Sequence, residues 1–87
     1  MAGLNGKMNA RYVLGPDGGP LTFADLPPET TKRWVARRKA EVVCAVRGGL
    51  LTLGEACQRY EIHIDEYLAW DAAYQAHGLD GLKPTRR

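Results

Sequence analysis

Hydrophobic and polar positions alternate briefly near the start of the chain and then settle into helical spacing. Arg11-Tyr12-Val13-Leu14 and Leu21-Thr22-Phe23 flank the turn-rich stretch Gly15-Pro16-Asp17-Gly18-Gly19-Pro20. Two short β-prone runs around Pro-Asp-Gly-Gly predict a β-hairpin over about residues 11–24. Pro20 belongs at a strand start or on an edge, where its missing N–H costs least. Asp25-Leu26-Pro27-Pro28 closes the unit, because a residue before proline is pushed out of the helical region. A lone hairpin is marginal in water, so this one needs a surface to pack on.

The remainder reads as three helices. The first is predicted to begin near Thr30 or Thr31, either of which can cap, and to run to Arg47, where Gly48-Gly49 stops it. On a helical wheel Val35, Val42, Ala45 and Val46 gather on one side, and Arg33, Arg37 and Arg47 on another. The second helix starts at a capping box, Thr52-Leu53-Gly54-Glu55, and continues through Tyr60. A short break at Glu61-Ile62-His63-Ile64 leads to the third, about Asp65 to His77, ended by Gly78.

A short helix, a turn of three or four residues and another helix outline a helix-turn-helix. Cys57 is small where the two helices cross, and Ile62 and Ile64 are placed to fill the angle between them. Tyr67, Trp70 and Tyr74 recur at spacings of three and four, which makes one face of the third helix a core face rather than a base-stacking platform. The first helix closes this core with Val35, Val42 and Val46. The predicted fold is mainly α: a three-helix helix-turn-helix domain over residues 11–82, preceded by the hairpin. Residues 1–10 are expected to be disordered and 83–87 to form a basic tail.

With 87 residues there is room for one small domain and little more. No stretch approaches the ~20 apolar residues of a membrane span, and the first residues lack the apolar run of a signal peptide. Cys44 and Cys57 make no disulfide framework, so a reduced, cytoplasmic protein is expected. The net charge of +2 hides an asymmetry: residues 1–47 hold eight Lys/Arg against four Asp/Glu, whereas residues 48–82 hold only Arg59 against six acids. That polarity points to separate faces for separate partners, although an ordinary solvated surface would account for it as well.

Helix-turn-helix proteins commonly read DNA with the N-terminal half of the second helix of the motif, through Arg, Lys, Asn or Gln. Here the outward side of that helix offers Asp65, Glu66, Ala69, Ala73 and Ala76. Carboxylates repel phosphates and alanines donate nothing, so DNA reading by this helix is disfavoured. The basic residues concentrate instead on the first helix, at Lys32, Arg33, Arg37, Arg38 and Lys39. This cluster suits an acidic protein surface or phosphates, and roughly five phosphate contacts would give a salt slope near −4 to −5. A solvated face, with Arg37 paired to Glu41 at i,i+4, is an equal alternative. Trp34, Gln58, Arg59 and His63 are additional candidate contacts, and Trp34 is equally a candidate for the core. Cys44, Cys57, His63 and His77 lack the paired spacing of a zinc site, and no nucleophile–base pair is visible. Neither a cofactor, a metal nor catalysis is expected.

The runs Tyr12-Val13-Leu14-Gly15-Pro16-Asp17-Gly18, Leu26-Pro27-Pro28 and Arg33-Trp34-Val35-Ala36-Arg37-Arg38-Lys39-Ala40-Glu41-Val42-Val43 resemble the SciP family of small alphaproteobacterial regulators. The likeness continues through Ala45-Val46-Arg47-Gly48-Gly49-Leu50-Leu51 and Glu55-Ala56-Cys57 to His77-Gly78-Leu79-Asp80-Gly81-Leu82. Glu61 and His63 depart from the glycine and small hydroxyl residue expected in the turn. The resemblance implies a transcriptional regulator that binds the response regulator CtrA, at its DNA-binding domain, and blocks activation of cell-cycle genes. It implies Arg33, Arg37, Arg38 and Lys39 as contacts. The alternative is a sequence-specific DNA-binding repressor using the helix-turn-helix unit, the basic first helix and the tail Lys83, Arg86 and Arg87.

Overall fold

The computed structural model describes residues 11–83. Strands β1 (Val13–Leu14) and β2 (Pro20–Leu21) pair antiparallel, Val13 opposite Leu21 and Leu14 opposite Pro20. The connection is held locally: Gly15 N–H donates to the Gly19 carbonyl at 2.8 Å, and Asp17 Oδ1 accepts from Gly19 N–H at 3.1 Å. Gly18 takes a φ of 85° there, a conformation that L side chains resist. Pro20 opens β2, as expected of a residue with no N–H to give. A 3-10 turn, Phe23–Asp25, follows, and the Asp25 carboxylate accepts from both the N–H and the hydroxyl of Thr22 at 3.0 and 2.8 Å.

Three helices form the body: α1 (Ala36–Gly48), α2 (Leu53–Tyr60) and α3 (Ile64–His77), with a closing 3-10 turn at Gly78–Leu82. The start of α1 corrects the sequence expectation. Neither Thr30 nor Thr31 caps it, because Thr31 uses both its N–H and its hydroxyl on the Pro28 carbonyl, at 3.0 and 2.6 Å. The chain then runs without regular structure to Val35, whose φ of −82° and ψ of 163° make it the N-cap residue. This path carries Trp34 inward. Its ring meets Tyr60 edge-on at 5.2 Å and Trp70 at 5.1 Å. Burying an indole between two aromatic rings outweighs another turn and a half of helix.

The later start also changes which residues form the core. Val35 is 43% exposed and does not join it. Ala40, Val42, Val43 and Ala45 are fully buried, with Val46 only partly covered. Buried side chains so spread around α1 show that it is covered on several sides. The hairpin lies on one of them: a Cβ at Gly48 would collide with Val13, whose Cβ would be 2.7 Å away. That is the surface the hairpin needed.

The helix-turn-helix is present. Gly49 ends α1 at a φ of 89°, and Leu50 and Leu51 both donate back to the Ala45 carbonyl. Thr52 Oγ1 accepts from Glu55 N–H at 3.0 Å while Glu55 Oε1 accepts from Thr52 N–H at 2.9 Å, the reciprocal capping box predicted. Glu61 ends α2 in the left-handed region, at a φ of 55° and ψ of 46°. Tyr67 and Trp70 are buried and Tyr74 partly so, as their spacing predicted. Ile62 packs partly against the core, but Ile64 is 51% exposed; the rotation of α3 that buries Tyr67 and Trp70 turns Ile64 outward. No helix among the described residues is long and apolar enough to cross a membrane.

Candidate interaction surface

The five basic residues singled out in the sequence do not share one helix. Lys32 and Arg33 are exposed on the irregular stretch before α1, whereas Arg37, Arg38 and Lys39 lie in its first turns. Arg37 is committed within the fold. Its guanidinium reaches Asp17 in the hairpin turn at 3.0 Å and Glu41 at 3.4 Å. The hydrogen bond from Arg37 holds the Asp17 carboxyl below its usual range. Glu41 moves the other way because burial disfavours its charge, with Arg37 offsetting part of the effect. Lys39 is half-buried and stands over the Trp70 ring with Nζ 5.8 Å from its centre. Among the described residues, Lys32, Arg33 and Arg38 form no ion pair. These three are the part of the cluster with charge to offer a partner.

The additional candidates divide in the same way. Trp34 belongs to the core contacts described above. Arg59 is half-buried and bound on three sides: Phe23 lies under its guanidinium at 4.8 Å, Tyr60 Oη accepts from its Nε at 3.2 Å, and Glu29 is 3.5 Å away. It fastens α2 to the segment before α1. Gln58 is exposed, and His63 is the exposed N-cap residue of α3, its carbonyl accepting from Glu66 and Tyr67 without a side-chain cap. The tail residue Lys83 pairs with Asp80 at 3.2 Å; Arg86, Arg87 and the segment 1–10 lie outside the described residues.

On α3, Asp65, Glu66, Ala69 and Ala76 are exposed, as expected. Ala73 is instead half-buried, because Gly81 comes so close that a Cβ there would strike the Ala73 carbonyl. Asp71 is held by Arg47 at 3.3 Å and accepts from Gln75 at 3.2 Å. Sequence reasoning missed two apolar features. Ile64 and Leu68 are about half exposed, at 51% and 48%, one helical turn apart. A shallow groove of about 540 Å³ runs between hairpin, α1 and α3, lined by Tyr12, Leu14, Cys44, Arg47, Tyr74 and Gln75 among others. The i,i+4 spacing of Ile64 and Leu68 was a readable signal for the first; the groove depends on the hairpin's docking and left no local trace. In its wall, burial pushes the Cys44 thiol up, and its sulfur lies 3.8 Å from the Tyr74 hydroxyl.

The sequence profile of a family described as a protein of unknown function, DUF1153, matches residues 5–87. The chain belongs to the DUF1153 family. This DUF1153 chain is similar to a Rhodobacter sphaeroides protein with an NMR solution structure: identity is 52%, 79% of this chain and 73% of that one are covered, and the TM-score is 0.73. A second solution structure, of a structural-genomics target, shows 47% identity over 95% of this chain and 82% of the other, with a TM-score of 0.62. No curated protein matches the chain.

Proposed function

We propose that this DUF1153 protein is a transcriptional regulator that binds the response regulator CtrA and inhibits its activation of cell-cycle genes. The observation that carries the reading is the displacement of positive charge in a helix-turn-helix. The helix that would enter a major groove, α3, exposes Asp65 and Glu66 and carries no Lys or Arg. Among the described residues, cations without an ion pair stand elsewhere, Lys32, Arg33 and Arg38 around the start of α1 and Arg11 before the hairpin. Such a unit repels phosphate where DNA readers attract it and is better suited to a protein surface. The resemblance to the SciP family, which spans Tyr12 to the C-terminus, supplies CtrA and its DNA-binding domain as the partner. Lys32, Arg33 and Arg38 are the leading contacts, with Arg37 and Lys39 holding the surface in place.

The test is an NMR titration of labelled protein with the CtrA DNA-binding domain and, separately, with a promoter duplex. At ~0.15 M salt exposed charges are screened beyond about 8 Å, so only close contacts survive. Shifts at residues 32–39 with the protein and little change with the duplex are expected. The double reversal Arg33→Glu and Arg38→Glu should abolish those shifts while leaving the fold intact. Unchanged affinity would remove the contact assignment.

A DNA-binding repressor is the second reading, favoured by the unpaired Lys32, Arg33 and Arg38. Three phosphate contacts would give a salt slope of roughly −3. It requires promoter preference at ~0.15 M salt; binding that vanishes alike for every duplex would exclude it.

A further inference from the structure

The third helix presents an apolar stripe that neither the core nor the cationic surface uses. Ile64 and Leu68 begin it and the exposed Ala72 continues it at helical spacing; the polar Gln75, exposed on the same line and donating to Asp71, ends it. Gln75 also lines the groove between hairpin, α1 and α3. There the stripe meets Tyr12 and Leu14, 57% and 65% exposed on the hairpin. A single exposed leucine is ordinary; a run of apolar side chains along a helix that ends in a groove is the footprint of helix docking. At 1.5 Å per residue the 14 residues of α3 span about 21 Å, enough to seat roughly four turns of a partner.

Charge narrows the occupant. Glu61 and Asp65 are exposed at the N-terminal end of the stripe, and α3 has no Lys or Arg. Arg47, which lines the groove, is already bound to Asp71, so the uncompensated charge along this face is that of Glu61 and Asp65 at its far end. A partner therefore gains most if its apolar ridge is edged with cations. A second copy of this chain has no such element to offer among the described residues: its cationic helix, α1, keeps Ala40, Val42, Val43 and Ala45 fully buried.

We propose that this face of α3, continued into the groove beside Tyr12, Leu14 and Tyr74, docks an amphipathic helix of a partner protein whose polar edge is basic. The proposal uses none of the cationic residues assigned to CtrA and stands apart from that reading.

Two synthetic helices of about four turns with the same leucine ridge, one edged with lysine and one with glutamate, make the probe. Labelled protein titrated with the lysine helix should show saturable shifts confined to residues 64–75, Tyr12, Leu14 and Tyr74. The glutamate helix should bind roughly tenfold more weakly or not at all. Leu68→Glu should abolish the binding, with unchanged thermal midpoint and near-ultraviolet spectrum showing that the fold persists. Asp65→Lys should reverse the preference between the two helices. Charge reversal at Arg33 and Arg38 should leave this binding alone, which separates it from the CtrA surface. Equal binding of both helices, shifts spread to distant carboxylates such as Asp80 and Glu55, or insensitivity to Leu68→Glu would overturn the proposal. So would sedimentation as a dimer that Leu68→Glu dissociates, which would give the face to a second copy.

Discussion

Tyr60, the last residue of α2, donates its hydroxyl proton to the Pro27 carbonyl at 2.6 Å, a buried bond between residues 33 apart in sequence. It ties the helix-turn-helix to the segment that carries Lys32, Arg33 and Trp34. Tyr60→Phe keeps the ring against Trp34 but strands a buried carbonyl, so a loss of about 1–3 kcal/mol is expected. Urea unfolding measures it, and amide exchange over residues 29–35 should quicken with it. Unchanged stability would show that this segment, the strap before α1, does not depend on the bond.

Glu61 is the one non-glycine residue at positive φ among the described residues, at 55°. An L side chain there crowds the following carbonyl, whereas glycine does not. Glu61→Gly should therefore raise stability by about 0.5–1 kcal/mol, after part of the gain is offset by the greater freedom of glycine in the unfolded chain. A thermal melt checks the sign: a lower midpoint would mean that the glutamate makes a compensating contact in solution.

Local chemistry made much of this fold legible. The capping box at Thr52 and Glu55, the Gly48-Gly49 stop, the Pro20 strand start and the Tyr67, Trp70, Tyr74 face are each set by a few adjacent residues, and each was readable. What was not readable depended on distant partners. Thr30 and Thr31 look like caps until Thr31 spends its hydroxyl on Pro28 and Trp34 finds Tyr60 and Trp70. The site followed the same division. The pairing of Arg37 with Glu41 was visible as an i,i+4 spacing, but the commitment of Arg37 to Asp17 and of Arg59 to Phe23 and Glu29 needed the hairpin and strap in place.

Two glycines should respond in opposite directions to alanine. Gly48 lies against Val13, so Gly48→Ala drives a methyl group into the hairpin and should cost about 1–3 kcal/mol. Gly54, inside α2, has nothing within 4 Å of where a Cβ would stand. Gly54→Ala should gain roughly 0.5–1 kcal/mol from helix propensity alone. Denaturant midpoints give the signs, and displaced Val13 methyl resonances in Gly48→Ala would locate the damage. Loss of stability at both positions would remove the distinction drawn here.

Tyr67 gives the fold a ceiling at high pH. Burial, helped by the charge of Asp71 and only partly opposed by Arg47, pushes its hydroxyl up to about 12. An unfolded tyrosine titrates near 10, about two units lower. Between those values the unfolded chain has released the proton that the native state still holds, so rising pH favours unfolding. The contribution is fully present below about pH 10 and is lost as pH climbs towards about 12. Tyr60 and Tyr74 are raised too, also chiefly by burial, and act in the same direction. Among the described residues the Tyr67 hydroxyl has no hydrogen-bond partner, so Tyr67→Phe should change stability by less than about 1 kcal/mol at neutral pH. Urea midpoints compared at about pH 8 and about pH 11 should fall steeply in the native protein and less steeply in Tyr67→Phe. Equal slopes would mean that ionisation of the other tyrosines, and not of Tyr67, unfolds the domain.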